Sequence, residues 1–184
     1  NFENTLGAIY VVRDPRNIIT SFSNHYDMSL DKSLEYMTSM SFSVGTEFKT
    51  EFPTFVGSWS HNYNSWMSEE LKNKCMLIKY EDLINQKENS IIQILEFIAK
   101  LSKIKLKLNK KKLENSIRTT DFEYLQNLEK EKGFGEAMTS KKKDKKMKFF
   151  YLGPKNNWKK ILNEEIKKKI EINFKKEMIE LGYI

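Results

Sequence analysis

The sequence predicts an α/β protein built around a parallel sheet, and three observations carry this. Ala8-Ile9-Tyr10-Val11-Val12 is a short β-branched run of the kind that fills a buried strand. It ends at Arg13-Asp14-Pro15-Arg16-Asn17, where Asp14 can cap a helix with Pro15 at its first position, a place where the missing N–H costs nothing. Cys75-Met76-Leu77-Ile78 repeats the strand signature after intervening helical sequence, and buried strands separated by helices run parallel.

The elements follow in order. After Pro15, the residues Ile18, Ile19, Phe22 and Tyr26 share one side of a helix. Asp31 to Met40 and Ser58 to Leu71 read as further helices, the second carrying Trp59, Tyr63 and Trp66 at helical spacing. These three rings read as core before they read as ligand contacts. The strand at Cys75 closes on Lys79-Tyr80-Glu81-Asp82, and a helix from about Ser90 turns Ile91, Ile94, Leu95 and Ile98 inward. Helix, loop and helix continue through Arg118, and Gly133 and Gly135 open a loop. The last helix is capped by Asn163, has Glu164 and Glu165 in its first turn, and buries Ile166, Ile170, Phe174, Met178 and Leu181 until Gly182 stops it. Two strands fall short of the ~4–6 of an ordinary sheet, so the remaining strands are expected upstream of Asn1.

At 184 residues with 39% hydrophobic content, the chain suits one domain with a real core. No apolar run approaches the ~20 residues that span a bilayer. The single cysteine, Cys75, excludes an internal disulfide and fits a reducing compartment, so a cytoplasmic location is the expectation. The net charge of +7 attracts polyanions, and lysines concentrate at Lys103 to Lys112 and in the run Lys141 to Lys148. A nucleic-acid-binding domain would set exposed aromatic residues into such a basic stripe. Here the lysines sit in a loop and on helix backs, away from the tryptophans. No metal-ligand cluster is visible.

Ligands of open α/β sheets sit at the carboxyl ends of the strands. Arg13 occupies such an end, and its fork of donors suits a phosphate. Asn17, Ser21 and His25 recur every four residues as a polar stripe on the following helix, so Arg13 and Ser21 could grip one anion from two sides. The competing reading is an arginine salt-bridged to Asp14 or Glu81, beside a solvated stripe.

Tyr10 to Asn17 followed by Ser21 resembles the 3′-phosphate-binding segment of sulfotransferases that use 3′-phosphoadenosine-5′-phosphosulfate (PAPS), where an Arg ends a strand and a Ser sits eight residues later. Gly57-Ser58-Trp59 with Ser65-Trp66 is similar to the family's aromatic helix. Lys79-Tyr80-Glu81-Asp82-Leu83 is similar to its Tyr-Glu-Asp motif, and Thr120-Asp121-Phe122-Glu123 to its Thr-Ser-Phe-Glu stretch. Gly153 and Trp158, followed by Lys159, resemble the closing Gly-x-x-Gly-Asp-Trp-Lys element. The landmarks occur in family order from residue 6 onward.

The resemblance implies a three-layer fold like that of P-loop NTPases, with residues 1–184 the C-terminal part of one sulfotransferase domain. PAPS is the implied cosubstrate, without a metal. The implied reaction moves the sulfo group in line to a hydroxyl, or an amine, of a small molecule or carbohydrate. Arg13 and Ser21 would hold the 3′-phosphate; Tyr80, Thr120 and Phe122 the adenosine; and Gly153 and Lys155 the closing turn. Tyr80 could instead be packed with its hydroxyl satisfied, and Phe122 could equally be helix core.

Two departures stand out. The family's Arg-Lys-Gly before the closing Trp reads Tyr151, Leu152 and Gly153 here, leaving Lys155 or the run Lys141 to Lys148 to supply the cations. Its Gly-Asp-Trp reads Asn156, Asn157 and Trp158. Nothing matches the family's phosphosulfate loop, and neither His25 nor His61 stands where its base stands; a surface or hydrogen-bonding role suits both. No catalytic residue is therefore assigned within the segment, and alone it is expected to be inactive. A non-catalytic nucleotide-binding remnant is the alternative.

Overall fold

The structure, a computed structural model, describes residues 4–44, 52–140 and 144–184. Two compact units divide the chain: Asn1–Arg13 with Trp66–Gly133, and Asp14–Ser65 with Phe134–Ile184.

In the first unit the β-branched run forms β1 (Ala8–Val12), which takes up the later apolar run as a parallel neighbour. The register runs from Ala8 opposite Cys75 to Val12 opposite Lys79. Gly7 lets the chain enter β1 beneath a helix: a Cβ there would collide with the Leu101 side chain and come within 2.7 Å of the Lys74 carbonyl. The sequence places β1 in a buried setting, but Ile9 and Val11 are 38% and 48% exposed. Among the described residues the pair gains no further strand, so part of its apolar surface stays uncovered. Trp66 stacks on Tyr10 of β1, with ring centroids 6.0 Å apart.

Helices complete this unit. The partner strand is separated from β1 in sequence by the elements of the second unit. These are α1 (Pro15–His25), α2 (Leu30–Thr38), β2 (Ser43–Val44), β3 (Thr54–Phe55) and α3 (Trp59–Trp66). The partner strand is then β4 (Cys75–Lys79), followed by α4 (Tyr80–Asn85), α5 (Lys87–Leu101), α6 (Lys110–Thr119) and α7 (Phe122–Lys132). Helix α5 packs on β4 and α6, and α6 on α7. Ile98, expected inward, is 43% exposed, whereas Ala99 is buried. Because α5 is covered from more than one side, its buried arc is not a single stripe.

In the second unit Asp14 caps α1 as expected, accepting from the Arg16 backbone N–H at 2.9 Å. The remaining elements are β5 (Thr139–Ser140), β6 (Lys145–Lys146), α8 (Trp158–Ile161), α9 (Glu164–Asn173) and α10 (Lys175–Glu180). Asn163 caps α9 by accepting from the Ile166 N–H at 2.8 Å. The predicted stripe is buried throughout, and Ile166, Ile170, Phe174 and Met178 join Ile19, Leu34 and Met37 in one core. The single last helix of the sequence reading is broken at Phe174, whose φ of −115° and ψ of 18° separate α9 from α10 without taking its ring out of the core. Gly182 ends α10 at φ +67°, a conformation open to glycine. Helix α3 stops at Trp66, short of the predicted Leu71; beyond it the Leu71 and Lys72 N–H groups close a separate turn on the Ser68 carbonyl.

Strands β5 and β6 pair as an antiparallel hairpin. It is tied to the end of α1, where the buried Ser140 hydroxyl donates to Asp27 at 2.6 Å and the Asn24 amide donates to the Lys148 carbonyl at 2.9 Å. Lys141 to Lys143 of the basic run and residues 45–51 lie outside the described residues. No described helix is long and apolar enough to cross a membrane.

Candidate functional site

The register of β1 and β4 explains the first cluster. Val12 lies opposite Lys79, so the next residues, Arg13 and Tyr80, leave the carboxyl ends of two parallel strands side by side. The Arg13 guanidinium sits 4.1 Å from the Tyr80 ring centroid, within cation–π range. Burial pushes the Tyr80 hydroxyl above its ordinary pKa; Arg13 opposes this shift and Glu81 adds to it. Asp14, one of the two carboxylates proposed as a salt-bridge partner for Arg13, is instead taken by Arg16.

Thr120 and Phe122 flank the loop between α6 and α7. The exposed Thr120 hydroxyl donates to the Ser116 carbonyl at 2.7 Å, and its own carbonyl accepts from Lys87 Nζ at 3.3 Å. Phe122 is half-buried as the first residue of α7, behind the Asp121 cap, which accepts from the Glu123 and Tyr124 N–H groups. A cavity of about 460 Å³ beside this loop is lined by Ile84, Lys87, Ile117, Arg118, Asp121 and Tyr124. None of the predicted ligands lines it, and sequence reading did not find it.

The second unit holds the other cluster. Gly153, at φ +51°, opens a 3₁₀ turn through Lys155, and Lys155 is exposed. The next residue, Asn156, is buried, and its Nδ2 reaches the Asn17 carbonyl at 2.6 Å, the Thr20 hydroxyl at 2.7 Å and the Ser21 hydroxyl at 3.5 Å. Two residues on, the Trp158 backbone N–H donates to Asn17 Oδ1 at 3.0 Å. The polar stripe of α1 therefore anchors the closing turn, which brings Gly153 and Lys155 to the side of α1 that carries Ser21.

Arg16 was not singled out from the sequence. Its guanidinium is bound by Asp14, Glu171 at 2.7 Å and the Tyr183 carbonyl at 2.8 Å, and it covers the Trp158 ring at 4.1 Å. Burial works against the charge, but hydrogen bonds and charges of Asp14 and Glu171 outweigh it and raise the pKa. Trp158 thus fastens the final loop. The only local clue was an arginine two residues after a capping aspartate.

His25, read for a surface or hydrogen-bonding role, is half-buried, and its ring packs edge-on against Tyr26 at 4.7 Å and Phe149 at 5.8 Å. Burial lowers its pKa, partly opposed by Glu136. His61 meets the Phe55 ring at 5.5 Å.

A parallel strand pair flanked by helices defines an α/β protein, a class whose ligands sit at the carboxyl ends of the strands, where Arg13 and Tyr80 stand. The chain belongs to the sulfotransferase domain family, whose model matches residues 2–182. It is 28% identical to sulfotransferase 2A6 of Mus musculus over 102 residues, which are 54% of this chain and 33% of that protein. The fold is that of mouse sulfotransferase SULT7A1 complexed with PAP, at a TM-score of 0.64 and 16% identity, covering 96% of this chain and 59% of that one. Retinol dehydratase in a complex with retinol and PAP superposes at a TM-score of 0.64 and 18% identity, covering 95% and 49% of the two chains. The chain thus spans about a third of the curated relative and half to three fifths of these structures.

Proposed function

We propose that the protein is a PAPS-dependent sulfotransferase and that this chain holds the nucleotide end of the cosubstrate. The observation that carries the reading is Arg13 beside Tyr80 at the carboxyl ends of the parallel strands, within a chain of this family. Arg13 is assigned to the 3′-phosphate, with Ser21 as the second ligand that the family motif pairs with it. Tyr80, Thr120 and Phe122 are assigned to the adenosine. Gly153 shapes the closing turn that carries Lys155. Bound PAPS supplies the sulfo group and a phosphate leaving group. The residues of this chain bind and orient its nucleotide end, which does not by itself stabilise a transition state. Residues 1–184 are accordingly proposed as the C-terminal part of one sulfotransferase domain, inactive alone.

The acceptor is proposed to be a hydroxyl, or an amine, on a small molecule or carbohydrate. Retinol and androsterone, present in the retinol dehydratase structures, are reasonable first probes. The non-catalytic alternative is favoured by one feature, the loss of the Arg-Lys pair before Gly153. The deciding experiment has two arms. Calorimetric titration should show 3′,5′-adenosine bisphosphate binding more tightly than 5′-AMP; equal affinities would remove the assignment. Labelled PAPS with the full-length protein and pooled alcohol, phenol and sugar acceptors should then give a labelled product; tight bisphosphate binding without product supports the remnant.

Lys155 is the first cation after Gly153 and stands exposed on the turn anchored to α1. Lys155→Ala is expected to weaken bisphosphate binding by about 1 kcal/mol and to flatten its salt dependence, as the loss of one phosphate-facing charge should. Titrations at two salt concentrations check this. An unchanged salt slope would shift the role to the lysines of the run Lys141 to Lys148.

A further inference from the structure

We infer that Asn156 is a positioning residue that keeps the Ser21 hydroxyl turned toward its ligand. The inference rests on the reading of Ser21 as a phosphate ligand and extends it to a residue that the family pattern does not supply, since Asn156 stands where that pattern has Gly.

The starting point is what helical hydroxyls do when left alone. A Ser or Thr inside a helix readily folds its hydroxyl back onto the carbonyl four residues earlier. The helices of this chain do this repeatedly. Ser33 bonds Ser29, Thr38 bonds Leu34, Ser116 bonds Lys112, and Thr119 bonds Asn115, at 2.9 Å in each case. A hydroxyl used in this way has given its proton to the helix and has none to offer an anion.

Ser21 makes no such bond, and its surroundings explain why. The carbonyl it would fold back onto is that of Asn17. That oxygen already receives the Thr20 hydroxyl at 3.0 Å and the Asn156 amide at 2.6 Å, in addition to its place in the helix ladder. A carbonyl has two lone pairs, so the site is full. The same amide nitrogen lies 3.5 Å from Ser21 Oγ, but both of its N–H groups are given to the Asn17 carbonyl and the Thr20 hydroxyl, and it offers no acceptor for the Ser21 proton. Ser21 Oγ therefore keeps its proton for a partner outside the helix. The amide cannot perform this role when reversed, because its oxygen would then face the Asn17 carbonyl. Burial of Asn156 and the neighbouring bond from the Trp158 N–H to Asn17 Oδ1 hold it in place.

The test uses the protein with Ser21→Ala, Asn156→Gly, Asn156→Asp and the Ser21→Ala/Asn156→Gly pair, titrated with 3′,5′-adenosine bisphosphate and with 5′-AMP. Asn156→Gly restores the family residue and should lower bisphosphate affinity about 5-fold, the scale of one hydrogen bond, with 5′-AMP unchanged. The double variant should be no weaker than Ser21→Ala, because Asn156 acts through Ser21. Asn156→Asp offers a carboxylate that takes the Ser21 proton, so its deficit should shrink as pH falls through the carboxyl range, a response that a packing defect would not give. If Ser21→Ala weakens bisphosphate binding but Asn156→Gly and Asn156→Asp do not, the inference is overturned while the phosphate reading stands. If Ser21→Ala changes nothing, the reading of Ser21 fails and the inference with it. Equal losses for both nucleotides, with no pH response in Asn156→Asp, would reduce Asn156 to a structural residue and also overturn it.

Discussion

Replacing Arg16 by Met is expected to lower the unfolding free energy by ~3–5 kcal/mol, the scale for removing one partner of a buried ion pair. Arg16 and Asp14 are each 5% exposed, so the variant leaves a carboxylate in the interior without its counter-charge. The Tyr183 carbonyl loses its donor and the Trp158 ring loses the cation above it. Met fills much of the same volume, which separates the charge effect from a cavity effect. Adding Asp14→Asn should recover part of the loss, since Asn still caps α1 through its side-chain oxygen but carries no charge. Urea unfolding of the three proteins checks this. A loss below about 1 kcal/mol for Arg16→Met would mean that Asp14 reaches water or another partner and that the cluster contributes little.

The second large effect concerns the ligand. Arg13→Ala is expected to cost ~1.5–3 kcal/mol of 3′,5′-adenosine bisphosphate affinity, roughly 10- to 150-fold, and to leave 5′-AMP affinity nearly unchanged. A charge-assisted bond to the 3′-phosphate exists only with the first nucleotide. Arg13→Lys separates charge from geometry: a single ammonium restores attraction but not the planar fork, nor the same stacking over Tyr80, so its affinity should lie between wild type and Arg13→Ala. Equal losses for both nucleotides would move Arg13 from the 3′-phosphate to a part that the two ligands share. Unfolding curves of Arg13→Ala alongside the titrations distinguish a binding effect from a damaged strand end.

Local chemistry made much of the fold legible. The β-branched run at Ala8, the Asp14–Pro15 start of α1, the Asn163 cap and the stripe from Ile166 to Leu181 each rest on interactions within a few residues, and each recurs in the structure where the sequence puts it. The order of motifs was enough to indicate the sulfotransferase domain, because strand-end and helix positions are set by spacing along the chain. Packing between distant segments was not legible in this way. The exposure of Ile9 and Val11 depends on what covers the strand pair, and the break at Phe174 depends on a core shared with α1 and α2.

The sequence by itself determined the α/β class, the helix caps, the stripe of the last helices and the pattern in which Arg13, Ser21, Tyr80 and Trp158 fall. Tertiary structure alone decided which polar groups meet. Arg16 joins Glu171 and Tyr183 across more than 150 positions of chain, and Asn156 reaches Ser21 across 135. Such pairs leave no periodic trace, because a hydrogen bond needs only two groups within about 3 Å in the right orientation, and that proximity is set by how helices pack rather than by which residues are neighbours in the chain.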